Sequence, residues 1–489
     1  MPVSETSRKL TLGPFNRVEG DLEVKLEIDD GRVAGAFVTS PMYRGFEQIL
    51  AGRPALDALV IAPRICGICS VSQSTAAARA LGGVMGLEAP ANGRAVADLI
   101  LACENATDHL THFYLFFLPD FARAAYQGRE WYAEALKRFQ AQSGEAARAA
   151  QKARVSFLHV IGILAGKWPH NLALQPGGVS KSVDMGERMR LRAALGEFRT
   201  FLETRLFADS LERIAALDGP ADLEAWIAAR PAGEGDFRFF LHMAEEVGLA
   251  EAGPGPARFL SYGGFAGADG PLFAAGMWRD GESRPLELSG LREDLSHAWM
   301  NGANLHPEQG ISMPDIDKYD AYSWCKAPRL DGVSAEVGAF ARQMVAGHPL
   351  IRGLAARTGG RGTVRGRVIA RLLELALLVP AMERWVQSLA EPGPYCRDGD
   401  IPDRAEGVGL VEAARGALGH WLAVEKGRLS RYQIVAPTTW NFSPRDGTGA
   451  PGPLEEALVG AAVAPGEDFP LTVQHIVRSF DPCMNCTVH

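Results

Sequence analysis

Two short cysteine pairs carry the first chemistry in this sequence, Cys66-Gly67-Ile68-Cys69 towards the amino terminus and Cys483-Met484-Asn485-Cys486 just before the carboxyl terminus. Thiolates are soft ligands, and two of them separated by two residues can face one ion. A single pair reads equally as half a zinc site, a redox dithiol or two packed thiols. Two pairs offer four thiolates to one centre, suited to nickel, iron, zinc or copper(I), and softness alone does not choose among them. Nearly the whole chain lies between the pairs, so the fold must bring them together. A zinc staple draws its halves from neighbouring turns, whereas this separation points to a metal held centrally between lobes. Cys103, Cys325 and Cys396 have no partner at ligand spacing and read as small buried apolar side chains.

The seven cysteines are odd in number, and the first thirty residues show neither an apolar leader core nor a twin-arginine signal. Both features argue against a disulfide framework and set the expectation of a cytoplasmic location. The formal net charge is -8, and the 22% of charged residues mix both signs along the chain. No basic face is concentrated enough to make nucleic acid the main partner. No uninterrupted apolar run of about 18 residues suggests a membrane span.

The elements that must position the cysteines are mostly helical. Residues 1–50 read as an amino-terminal β-hairpin lobe, because Leu22, Val24, Leu26 and Ile28 alternate with polar residues before Asp30-Gly31. Residues 51–215 read as a helical bundle carrying the first cysteine motif, with apolar residues at three and four spacing from Ala95 to Leu118. Residues 216–335, rich in Gly and Pro, read as a lobe of loops and short strands. Residues 336–489 read as a helical and mixed part carrying the second motif, with LSRYQIV as a strand leaving the core. The fold class is mainly α with smaller β or α+β lobes around a central bundle of long helices, integrated as one unit. With 47% apolar residues in 489, a large core is available.

The motifs around the cysteines extend over most of the chain: RVEG (17–20), YRGFE (43–47), RICGIC (64–69), DHLTHFY (108–114), GKWPH (166–170), YSWCKAPR (322–329), RGALGHW (415–421), TTWNFSPRD (438–446) and DPCMNCTVH (481–489). With these the sequence resembles the large subunit of the nickel-iron hydrogenases. The quinone-binding subunit of respiratory complex I shares that fold but lacks the four cysteines. The resemblance implies that Cys66 and Cys483 bind nickel terminally, while Cys69 and Cys486 bridge it to an iron carrying carbon monoxide and cyanide. It places Arg415 over the open coordination position, held by Asp108 and Asp481, and makes Thr438 a donor to cyanide. Such a centre cleaves hydrogen heterolytically, and Glu19 matches the glutamate that accepts the proton. Read without the resemblance, Glu19 is a solvated carboxylate at a strand entry. Glu47, the carbonyl of Ile434 and His489 match a magnesium site. His109, His112, His170 and His420 read as core or supporting histidines.

Departures from the uptake pattern define a finer expectation. Gln73 stands where most uptake relatives have His, Asp21 replaces a His after RVEG, and Ala414 replaces a Pro before Arg415. Ile68 and Phe116 fall where oxygen-sensitive relatives have Val and Leu at the inner end of the gas tunnel, and extra bulk there narrows access. Together with a chain ending at His489, these features resemble the regulatory, hydrogen-sensing branch, oxygen-tolerant and of low turnover. The resemblance implies an iron-sulfur small subunit as partner, carrying all the clusters, with a histidine kinase as receiver and a possible dimer of heterodimers. The alternative is an energy-conserving uptake enzyme. A metal-free or zinc-stapled scaffold is the third reading.

Overall fold

The computed structural model describes residues 7–267, 270–487 and 489. At the amino terminus, β1 (Arg8–Leu12), β2 (Glu23–Asp29) and β3 (Arg32–Thr39) form an antiparallel sheet in that order. Val24, Leu26 and Ile28 point into the core, and Asp30 and Gly31 both take positive φ in the turn, as a tight hairpin requires. The expected hairpin therefore gains a third strand. With only Leu10 and Leu12 apolar, β1 is too short a pattern to announce itself.

The centre is a helical packing of α1 (Ser70–Val84), α2 (Ala91–Thr111), α3 (Met185–Phe201) and α4 (Val364–Ser388). α4 packs against both α2 and α3, and α1 against α2. α4 is buried around nearly its whole circumference, as a helix at the heart of a large core must be. Its buried Glu374 is paired with Arg342, which also meets Glu412, so these charges are neutralised where they lie.

The region 216–335 departs from expectation. Two helices, Pro220–Ala228 and Asp236–Glu246, precede the strands β4 (Arg258–Gly267) and β5 (Gly270–Arg279). The glycines and proline taken as loop signals sit at helix starts: Gly219 and Gly235 precede the first turns and Pro220 opens one, where its missing N–H costs nothing. Trp226, Phe237, Phe240 and Leu241 then drive burial.

Towards the carboxyl end, β6 (Arg404–Ala413), β7 (Gly416–Glu425) and β8 (Arg428–Val435) form an antiparallel meander. LSRYQIV is indeed a strand, but β8 stays in the core beside β7 instead of leaving it. α1 lies directly on β6, where Gly407 and Gly409 face it; a Cβ on Gly409 would stand 1.9 Å from the Ala76 carbonyl oxygen. After α5 (Leu471–Ser479) the last residues thread back into the interior. No helix is long and apolar enough to cross a membrane among the described residues.

Candidate metal centre

The long-range closure that the cysteine spacing demands is made. Cys69 is the residue before α1, so its pair is fixed by the start of that helix, while Cys483 precedes the short helical turn Met484–Cys486 and Cys486 is its last residue. Glu19 bridges to Cys483 as a parallel β pair, with Glu19 N donating to Pro482 O at 3.3 Å and Met484 N donating to Glu19 O at 2.7 Å. The Arg44 guanidinium donates to the carbonyls of both Ile65 and Asn485, tying one motif to the other.

The four sulfurs lie within 4.8 Å of one another, and all four residues are buried. Cys66 and Cys483 sulfurs are 3.4 Å apart, Cys69 and Cys486 3.1 Å, Cys483 and Cys486 3.0 Å. These separations are far beyond a disulfide bond. Hydrogen bonding within the quartet draws Cys66 well below the ordinary thiol range and pushes Cys69 and Cys483 well above it, with burial adding to the rise. Full ionisation of the four thiols therefore needs a cation among them, which is how a thiolate metal site behaves. The donor set fits soft metals.

Arg415 flanks the quartet. Its Nη1 donates to Asp108 Oδ2 at 3.0 Å, Nη2 to Asp481 Oδ1 at 3.1 Å, and Nε to Asp481 O at 2.9 Å. Burial opposes ionisation of Asp481, but the guanidinium holds it below the usual carboxylate range; burial prevails at Asp108 and pushes it well above. Thr438 Oγ1 accepts from Cys483 N at 3.2 Å, leaving its hydroxyl proton to point elsewhere, and it lines a narrow cavity with Cys69, Gln73, Arg415 and Cys486. Gln73 Oε1 lies 2.7 Å from His420 Nε2, and Tyr432 Oη lies 2.8 Å from His420 Nδ1. An amide oxygen can only accept, so His420 carries its proton on Nε2 and Tyr432 donates to Nδ1.

Glu19 is half-buried beside the second motif, with Oε1 accepting from Asn485 Nδ2 at 2.7 Å. The three expected magnesium ligands also converge. His489 Nε2 stands 2.7 Å from Ile434 O and 3.6 Å from Glu47 Oε1, and its Nδ1 is 2.6 Å from Cys486 O. A neutral imidazole has one N–H for two facing carbonyls, and burial lowers the His489 pKa. A hard cation at Nε2 would resolve the mismatch, with carboxylate, carbonyl and imidazole donors that suit it. Lys326 Nζ, 2.7 Å from Glu47 Oε1 and 2.5 Å from Glu293 Oε1, already gives these acids a counter-charge.

His109 meets Glu374, and His112 meets Arg478 O. His170 N donates to Ser70 Oγ; none of these histidines joins the quartet. Ile68 and Phe116 are half-buried and do not line the narrow cavity. Cys103 and Cys325 are buried as expected, whereas Cys396 is half-exposed in the segment between α4 and β6. That segment is rich in Gly, Pro and Asp, so it has little core to offer. Sequence reasoning missed Arg44, Lys326 and Glu293, although Arg44 and Lys326 sit inside the YRGFE and YSWCKAPR motifs.

The profile of the nickel-dependent hydrogenases matches residues 44–133 and 241–489, both cysteine pairs included. The chain belongs to this family. It is 29% identical over 528 residues to the periplasmic NiFeSe hydrogenase large subunit of Desulfomicrobium baculatum, covering 100% of this chain and 96% of that relative. It is 26% identical over 592 residues to the uptake hydrogenase large subunit of Azotobacter chroococcum mcd 1, covering 100% and 96%. The crystal structure of the reduced, active Ni-Fe-Se hydrogenase from D. baculatum superposes with a TM-score of 0.84 at 28% identity, over 99% of this chain and 100% of the other. The nickel-iron hydrogenase large-subunit fold is thus present, and the chain is a hydrogenase large subunit.

Proposed function

We propose that this hydrogenase large subunit works in hydrogen uptake, oxidising hydrogen and passing the electrons to a small subunit that carries iron-sulfur clusters. The observation that carries the reading is the buried quartet of Cys66, Cys69, Cys483 and Cys486 beneath Arg415. A nickel-iron pair bound there, with carbon monoxide and cyanide on iron, supplies heterolytic cleavage of hydrogen. Arg415 sets a fixed positive charge beside that reaction, and Asp108 and Asp481 hold it in place. Thr438, whose Oγ1 accepts from Cys483 N, would have its hydroxyl proton free for a ligand of iron. Glu19, adjoining Cys483 through the backbone bridge, receives the proton and hands it outward, being half-exposed where the other acids are sealed. Glu47, the Ile434 carbonyl and His489 would hold a magnesium ion.

Relatives named as uptake and NiFeSe enzymes favour this reading over the sensor. The sensing reading, with its histidine kinase, dimer of heterodimers and oxygen tolerance, rests on Gln73, Ile68 and Phe116. The cytoplasmic expectation rests on the amino-terminal residues, whereas the D. baculatum relative is named periplasmic.

Two measurements test the proposal. Metal analysis with infrared spectroscopy of the co-purified complex should find nickel, iron and the carbonyl and cyanide bands; their absence would leave a scaffold. Dye reduction under hydrogen should run at respiratory rates, and a rate orders of magnitude slower would restore the sensor. Within the site, Glu19→Gln is expected to keep the metals while suppressing hydrogen-deuterium exchange at least about hundredfold, the usual worth of a positioned base. Unchanged exchange would hand the proton to another group.

A further inference from the structure

Glu104 lies on α2 one turn before Asp108 and has no exposed surface. No basic side chain pairs with it among the described residues. Four donors nevertheless converge on its carboxylate. Oε2 accepts from Val71 N at 2.8 Å and Trp168 Nε1 at 3.2 Å, and Oε1 accepts from Ser72 N at 2.8 Å and Ser72 Oγ at 2.9 Å. Val71 and Ser72 open α1, where amides have no partner within the helix. Cys69, which precedes that helix, makes no capping contact with its own side chain. The cap comes instead from another helix.

An ionised carboxylate has about four lone-pair positions for donors, and all four are filled; burial pushes the Glu104 carboxyl up to about 7, and these donors oppose the rise and favour the ionised form. A buried carboxylate without a cation is costly, so its retention here calls for a local reason. The helix dipole and the two unpaired amides supply part of the compensation. The remainder of the argument is positional. Glu104 and Asp108 stand one turn apart on the same face of α2; the first holds the start of the helix that follows Cys69, and the second holds Arg415.

We propose that Glu104 is a positioning residue: by capping α1 from α2 it fixes the first cysteine pair relative to Arg415, and its charge adds to the field at the quartet. The role at the quartet rests on the nickel-iron reading above, while the capping does not. Glutamine at 104 would keep the shape but present one oxygen and one N–H₂ group to four donors.

The test compares Glu104→Gln and Ser72→Ala with the unaltered chain, each as the co-purified complex. Amide exchange at Val71 and Ser72 reads the cap directly, because Glu104 is their acceptor. Glu104→Gln should speed that exchange roughly five- to tenfold, the scale of a lost helix cap, lower the nickel bound per chain, and move the midpoint potential of the remaining centres to more positive values. Ser72→Ala removes one donor and keeps the charge, so exchange should rise by about twofold with the potential unmoved. Unchanged exchange in Glu104→Gln would overturn the cap, and faster exchange with unchanged potential and nickel content would overturn the role at the quartet. If Glu104→Gln yields no folded complex, Glu104→Asp decides, since it keeps the charge but withdraws the carboxylate by one methylene from the two amides: unaltered exchange at Val71 and Ser72 overturns the proposal. A complex without nickel in its unaltered form would defeat the nickel-iron reading and leave the exchange result to judge the cap.

Discussion

At the scale of single residues, the centre is an exercise in charge compensation. Arg415 is the cation that two buried acids share, Asp481 held ionised by it and Asp108 pushed up by burial, and it reaches both side chains and a main-chain carbonyl at once. Its planar fork allows this; a lysine ammonium would not span the same three acceptors. Arg415→Leu would leave Asp108 and Asp481 buried without their partner, and the expected loss is about 3–5 kcal/mol of stability. Urea unfolding of the variant would show it as a lowered midpoint with unchanged slope, and an unmoved midpoint would mean that the acids take up protons at no cost. Much of this was legible in the sequence, since cysteine spacing called for four converging sulfurs and the motifs named Arg415, Asp108, Asp481 and Thr438. Lys326 was not legible. A lone lysine ordinarily reads as a solvated charge, and only the folded chain brings it to Glu47 and Glu293. Glu104 was hidden for the same reason: three of its donors lie 32 and 33 positions away on another helix, and the fourth, Trp168, lies 64 positions away.

At the scale of elements, the position of the first cysteine pair depends on how closely α1 can approach the sheet. Ala76 and Ala80 face Gly407 and Gly409, small side chains against none, so backbone meets backbone. A Cβ on Gly409 would lie 1.9 Å from Ala76 O and 2.8 Å from Ala80 N, contacts that the helix can relieve only by moving. Gly409→Ala is therefore expected to cost about 1–3 kcal/mol through overpacking and, by shifting α1, to reduce the nickel bound per chain. Metal analysis alongside urea unfolding would check both, and full loading at undiminished stability would mean that α1 is free to slide. Elements themselves were unevenly legible. Long helices showed through their periodicity, as did β2 through its alternation. β7 is buried on both faces save its last residue and so offered no alternation to read. The helices Pro220–Ala228 and Asp236–Glu246 were masked because their flanking Gly and Pro were taken as loop interiors.

At the scale of the whole molecule, the quartet joins the two ends of the chain, with Cys66 and Cys483 separated by 417 positions. Closing so long a loop is entropically expensive, though the cost grows only slowly with length, and polar contacts from several elements hold the closure. The final segment is kept by the Glu19 backbone pairing, by Arg44, Arg415 and Thr438, by the Ser40 to Thr487 hydroxyl contact at 2.9 Å and by His489 beside Ile434. Bound metals would add their affinity to the folded state alone, because no such site survives in the open chain. Metal loading should therefore protect the two ends together and the middle of the chain far less. Protein produced without nickel is expected to show faster amide exchange and earlier proteolytic cleavage within residues 480–487, with matching loosening at residues 17–20 and 66–69, while α4 keeps its protection. Equal protection of the last segment with and without nickel would mean that packing alone closes the molecule and that the metal enters a site already locked. A loosened tail would instead make carboxyl-terminal closure the step by which this fold seals its centre after loading.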